Sequence, residues 1–230
     1  MAKKKTEEEK DEVIVDVEQV YSKTEDFINE NQNVIIGVVG ALIAVVVAFY
    51  AYNRVYLEPL EEEAHGQMFM AEVYFQKDSF DLALNGDGNY LGFLDIADEY
   101  GNTSAGNLAH YYAGISYLRS GDYEAAIEEL ESFDGAGEML GAVALGAIGD
   151  AYMELGDTDA ALNSYEEAIS ASENNFTSPV YLQKAGFAAE KAGKFDKAID
   201  YYTQVKEDYP TTNEGRNADK FIARAEANLN

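Results

Sequence analysis

The sequence predicts an all-α chain: one transmembrane helix, then an α-solenoid of paired helices with a C-terminal capping helix. Three observations predict it. Residues 34–52 form a run of 19 residues without a charge. Between Asn107 and Pro210 one pattern of small and aromatic residues occurs three times. Beyond it, Phe221, Ile222, Ala225 and Leu229 recur at helical spacing, and an amphipathic helix over 212–229 suits the exposed end of a stack.

The apolar run comes first. At about 1.5 Å per residue it spans roughly 28 Å, close to the ~30 Å hydrocarbon core of a bilayer. It has no polar face, and Phe49, Tyr50, Tyr52 and Tyr56 gather at one end like an interfacial belt. A cleaved signal peptide is disfavoured, because ten acidic residues lie in the 33 residues before the run and no A-x-A site follows it. Lys3, Lys4, Lys5, Lys10 and Lys23 precede it, whereas only Arg54 follows before Lys77. The positive-inside rule then makes 1–33 a cytoplasmic charged tail, 34–52 a signal anchor, and 53–230 a translocated domain. Val13, Val17, Val20 and Tyr21 suggest an amphipathic turn in the tail, and a short linker is expected from Tyr52 to Glu61. Gly37-x-x-Gly40 is not the G-x-x-x-G helix-dimer motif.

The repeats follow. Their copies are Gly114-x-x-Tyr117-x-x-x-Gly121-Asp122-Tyr123-x-x-Ala126, Gly149-x-x-Tyr152-x-x-x-Gly156-Asp157-x-x-x-Ala161 and Gly186-x-x-Ala189-x-x-x-Gly193-Lys194-Phe195-x-x-Ala198. Two antiparallel helices approach closely only where side chains are small, which explains the first glycine and the last alanine of each copy. The middle glycine supplies the positive φ of a tight turn. Leu130/Phe133, Tyr165/Ala168 and Tyr202/Val205 continue the second-helix faces, and Pro210 stops the last helix. Upstream, Met68, Ala71, Tyr74 and Phe75 keep helical spacing, and Asp78-Ser79-Phe80-x-x-Ala83 echoes the turn motif. A degenerate first repeat is therefore expected over 60–100, with an insertion at 85–89 and a helix resuming at Tyr90.

Composition excludes several classes. With no Cys there is no disulfide, thiol nucleophile or Cys-based zinc site. A net charge of −27 argues against nucleic-acid binding, which needs clustered Lys and Arg. The acidic surface favours solubility and basic or unfolded partners. Residues 85–89 place oxygen side chains like a calcium loop, but Tyr90 and Ile96 stand where Gly and Glu are required. His65 and His110 lack ligand spacing, Gly135-x-Gly137 lacks the third glycine of a phosphate loop, and Glu128-Glu129-x-Glu131 and Glu166-Glu167 read as solvated faces. No nucleophile–base pair stands out, so an enzyme, a cofactor, a metal or a small-molecule substrate is not expected.

The turn glycines lie 35 and 37 residues apart, close to the ~34-residue period of the tetratricopeptide repeat, and the chain from about 64 to 230 resembles that family. The resemblance implies that the first helix of each pair builds an inner concave wall. Here that wall would carry Leu108, Tyr111, Ile115, Leu118 and Arg119, then Asp150, Met153 and Glu154, then Gln183, Phe187, Glu190 and Lys191. Apolar residues exposed in that set would suit an extended apolar peptide; the alternative is that some of them pack on neighbouring helices. A short cytoplasmic tail, one anchor and acidic repeats also resemble the YfgM-type ancillary subunit of the bacterial Sec translocon. Asp78-Ser79-Phe80, Gly86-Asp87-Gly88-Asn89-Tyr90-x-Gly92-Phe93 and Ala105-Gly106-Asn107-x-Ala109-x-Tyr111-Tyr112-Ala113-Gly114 look like its Bacteroidetes-type versions. That resemblance implies an inner-membrane protein with a periplasmic repeat domain. Its implied partners are translocon subunits, a membrane-anchored prolyl-isomerase-like chaperone and translocating polypeptides. The alternative is a scaffold in outer-membrane or cell-envelope assembly.

Overall fold

The structure is a computed structural model that describes residues 25, 27–135 and 139–229. The lysine-rich tail, its amphipathic turn and Gly137 lie outside the described residues. The chain divides into two units, 1–56 and 57–230.

In the first unit, α1 (Gln32–Tyr52) is long and apolar enough to cross a membrane, and none of its side chains is buried. The linker expected from Tyr52 to Glu61 is helical instead. Asn53–Leu57 forms a π-helical turn and α2 begins at Glu58. Pro59 explains the wide turn: it has no N–H for the carbonyl four residues back, and its ring crowds that carbonyl.

In the second unit every described element is helical: α2 (Glu58–Gln76), α3 (Phe80–Asn85), α4 (Phe93–Glu99), α5 (Ser104–Ser120), α6 (Tyr123–Ser132), α7 (Met139–Leu155), α8 (Thr158–Ala171), α9 (Ser178–Lys191), α10 (Phe195–Asp208) and α11 (Asn213–Leu229). Each helix packs chiefly on its sequence neighbours, as serial hairpins do. The pairs are α5/α6, α7/α8 and α9/α10, and α11 lies against α10 and α9 as the cap.

The small residues behave as spacing predicts. A methyl added at Gly114 would fall 2.5 Å from Leu130 Cγ, one at Gly149 2.5 Å from the Tyr165 ring, and one at Gly186 2.3 Å from the Tyr202 ring. Glycine at these positions is what lets each second helix seat a large side chain on the first. Ala126, Ala161 and Ala198 are fully buried opposite. Gly121, Gly156 and Gly193 hold φ of 88°, 82° and 72°, and the Asp122 and Asp157 carboxylates then cap α6 and α8 by accepting from the backbone of Ala125 and Ala160.

The first repeat departs from the expectation at one point. Its second helix is broken into α3 and α4, and the chain resumes helix at Phe93, not Tyr90. The Asp87 carboxylate accepts the backbone N–H groups of Asn89 and Tyr90, which holds the insertion in a turn. Tyr74 donates its hydroxyl to the same carboxylate, so Asp87 ties the insertion to α2.

Candidate functional site

The first helices of the three pairs, α5, α7 and α9, carry all twelve residues expected on the inner wall. Leu118, Asp150, Met153 and Glu154 meet with Tyr123 around one pocket of about 300 Å³. The remaining eight line no described part of that pocket and continue along the same helices.

The apolar members are half-buried and pack on neighbouring helices. Leu108 packs against the core of α2, α4 and α5. Tyr111, Ile115 and Leu118 pack against Leu130, Ala144 and Ile148, and Met153 packs against the cluster around Tyr165. Phe187 stands edge-on to Tyr202 and Phe221, with ring centroids 5.9 and 5.1 Å away. The reason is geometric: these side chains fill junctions between hairpins, Leu108 on the side of the preceding repeat and Tyr111, Ile115 and Leu118 on the side of the following one.

Three of the charged members are bonded across a repeat junction. Arg119 pairs with Asp78 at 2.8 Å and lies over the Phe80 ring at 4.8 Å. Asp150 receives Lys184 at 2.6 Å and the Tyr165 hydroxyl at 2.7 Å. Glu190 receives Arg224 and the Tyr202 hydroxyl, each at 2.8 Å. Glu154 and Lys191 are exposed, and Gln183 is half-buried.

These contacts set the local protonation chemistry. Burial, then the Asp150 carboxylate, pushes the Tyr165 phenol far up, and burial with Glu190 does the same to Tyr202. Burial and Asp150 raise Tyr181 to about 12. Hydrogen bonding to Glu190 holds the Arg224 guanidinium protonated still more firmly. All three phenols therefore stay neutral near neutral pH, and Tyr165 and Tyr202 act as hydrogen-bond donors, not as bases.

Sequence reasoning missed Asp78, Lys184 and Arg224, the partners of this wall. A signal was present: Lys184 follows Asp150, and Arg224 follows Glu190, by 34 residues, one repeat period. It also read two glutamates as solvated that are engaged. Glu129 meets His110 Nδ1 at 2.8 Å, and Glu166 accepts from Lys197 and Tyr201. Among the described residues no three His, Asp or Glu side chains are grouped to hold a metal.

The comparisons with known proteins agree with this architecture. The tetratricopeptide repeat family matches over residues 142–175 and, in a second form of the repeat, over 108–133 and 181–212. The photosystem I assembly protein Ycf3 of Prochlorococcus marinus strains MIT 9303 and MIT 9313 is 31% identical over 123 residues. That match takes in 44% of this chain and 66% of Ycf3, just under two thirds of its length. Among solved structures, the TPR-like repeats of a Podosopora anserina kinesin light chain superpose with a TM-score of 0.58 at 13% identity, over 74% of this chain and 88% of theirs. The MamA protein gives a TM-score of 0.52 at 19% identity, over 73% and 88%. At such identities the structural likeness speaks for the fold alone. Helix pairing, turn glycines and matched repeats agree: the chain carries tetratricopeptide repeats in an all-helical solenoid and has one long apolar helix near its N-terminus.

Proposed function

We propose that this chain is a non-enzymatic, single-pass membrane protein whose repeat domain scaffolds partner proteins or holds emerging polypeptides. The carrying observation is the pocket where Leu118, Tyr123 and Met153 meet two carboxylates, Asp150, which Lys184 pairs, and the exposed Glu154. Such a surface suits an extended apolar segment, whose burial contributes about 25 cal/mol per Å². The unburied apolar side chains of α1 support a bilayer anchor, because in water they would cost the same term.

The lysine bias before the anchor favours a cytoplasmic N-terminus and a periplasmic repeat domain in a bacterial inner membrane. The resemblance to the YfgM-type subunit favours the Sec channel, its associated prolyl-isomerase-like chaperone and translocating chains as partners. Site-specific crosslinking from Met153 and Leu118 in native membranes tests this. Adducts to channel subunits or nascent chains are expected, and protease should spare the C-terminal domain in intact spheroplast-derived inverted vesicles. Adducts only to other envelope proteins would defeat the Sec assignment. They would favour the second reading, an assembly scaffold, which the match to a protein named for assembly supports.

A further inference from the structure

The outer seam of the solenoid is laced at one junction and open at the next. Between α8 and α10, Lys194 pairs with Asp159 at 2.6 Å and Lys197 with Glu166 at 2.7 Å. The Tyr201 hydroxyl donates to the same Glu166 carboxylate. Lys197 and Tyr201 are four residues apart, so one helical turn of α10 supplies both a cation and a ring to that acid.

The preceding junction, α6 with α8, has the acid without the turn that answers it. Counting back one repeat, Glu131 stands where Glu166 stands, but Ala160 and Ser164 replace Lys197 and Tyr201. In addition, α6 stops at Ser132 after 10 residues where α8 and α10 each run for 14, and Phe133 leaves in extended conformation. Small residues and a lost turn together open a cleft of about 520 Å³. Leu130, Phe133, Leu145 and Ile148 line it, with Glu131 and Glu167 at its rim. Both rim carboxylates are exposed and have no ion-pair partner among the described residues. At 100° per residue Ala144 and Ile148 face away from Asp150 and Met153, so this cleft lies on the opposite side of α7 from the inner-wall pocket.

We propose that the cleft docks a helical segment of a partner protein that carries Lys or Arg and, one turn along, an aromatic or large aliphatic residue. The neighbouring junction is the template, since it shows what the same acid takes when the chain provides it. The long-range field agrees. Residues 57–183 hold two basic and 25 acidic side chains, whereas 184–230 hold eight of each, so the anionic part of the domain is the part that contains the cleft. A basic segment is drawn there before it makes contact.

The test uses the full chain in phosphatidylcholine nanodiscs, with empty nanodiscs as the blank. The probe is a short labelled helical peptide with Lys and Tyr four residues apart on a leucine face and a photoreactive group beside them. A second peptide has Glu in place of Lys. The Lys peptide should bind about tenfold more tightly at low salt, with adducts on α6, α7 and α8 around the cleft. The double variant Ala160→Lys/Ser164→Tyr, which closes the seam with the chain's own side chains, should lose about tenfold in affinity. The surface variant Glu131→Gln/Glu167→Gln, which leaves the core untouched, should lose about threefold and flatten the salt dependence. Equal binding of the two peptides, no binding, or unchanged affinity in Glu131→Gln/Glu167→Gln would overturn the proposal. Adducts confined to Leu118 and Met153 would also overturn it, while supporting the inner-wall pocket.

Discussion

Replacing Gly186 with Ala tests the close approach on which the hairpins depend. The added methyl carbon would lie 2.3 Å from Cε1 of Tyr202, whereas ordinary contact begins near 3.4 Å. The ring must therefore retreat by about 1 Å, and it has little room. Tyr202 is 1% exposed, its hydroxyl is held by Glu190 at 2.8 Å, and Phe221 stands 5.4 Å away, centroid to centroid. Overpacking of this kind costs about 1–3 kcal/mol, and losing the hydrogen bond costs about 1 kcal/mol more. Alanine returns up to about 1 kcal/mol through helix propensity. The net expectation is about 1–3 kcal/mol of destabilisation, a fall in Tm of roughly 2–10 °C for a domain of this size. Gly66→Ala is the matched control, because nothing lies within 4 Å of its added carbon in α2. It should stabilise by about 0.5–1 kcal/mol. Circular dichroism melts of the full chain in detergent read both. A Gly186→Ala protein that melts at or above the wild type, beside a Gly66→Ala protein that gains, would refute the argument from ring contact.

Two further expectations concern the inner wall. Asp150→Ala strands the buried Tyr165 hydroxyl and the Lys184 ammonium and should cost about 1–3 kcal/mol in urea unfolding, while Asp150→Asn keeps an acceptor for Tyr165 and should cost about 1 kcal/mol or less. Alkali should unfold the domain through its phenols. Tyr165, Tyr181 and Tyr202 titrate above the ordinary value of 10 in the fold, so it binds protons that the unfolded chain has released. Their stabilisation is complete below about pH 10 and is lost as pH rises, by at most ~1.4 kcal/mol per pH unit for each phenol still neutral. Tm should be flat to about pH 9.5 and then fall, and the tyrosinate absorbance of the folded protein should stay below that of the unfolded chain, the buried phenols ionising only on unfolding; full tyrosinate absorbance while the protein is still folded would contradict it.

The parts of this fold that rest on short-range rules are readable in the chain. Gly186 and Ala198 sit one hairpin apart, so their smallness and spacing suffice to place two helices in contact. Gly193 marks the turn between them because its φ of 72° disfavours a side chain. What eluded reading depends on competition or on distance. Tyr90 opens an apolar stretch that continues through Leu91, Phe93 and Leu94, yet the Asp87 carboxylate captures its N–H and the helix waits until Phe93. Phe187 and Ile115 look exposed on a helical wheel, but only the next hairpin reveals that they fill its junction. The cleft beside α6 needs two facts at once, a missing turn and two small residues one repeat later. The composition of 133–137 alone shows neither.

The paired charges at Asp78–Arg119, Asp150–Lys184 and Glu190–Arg224 give the molecule two different sides. On the inner lane these carboxylates are answered in place, so a visiting polypeptide meets fixed dipoles where the overall charge of −27 would suggest repulsion. On the proposed reading, an apolar stretch lying beside these pairs would meet only the exposed Glu154 as an unanswered carboxylate in the pocket, so salt should change its grip less than it changes binding behind α7. The back of α7 keeps its anionic character and grows less adhesive as salt rises. If both proposals hold, one solenoid would sort visitors by charge onto opposite flanks.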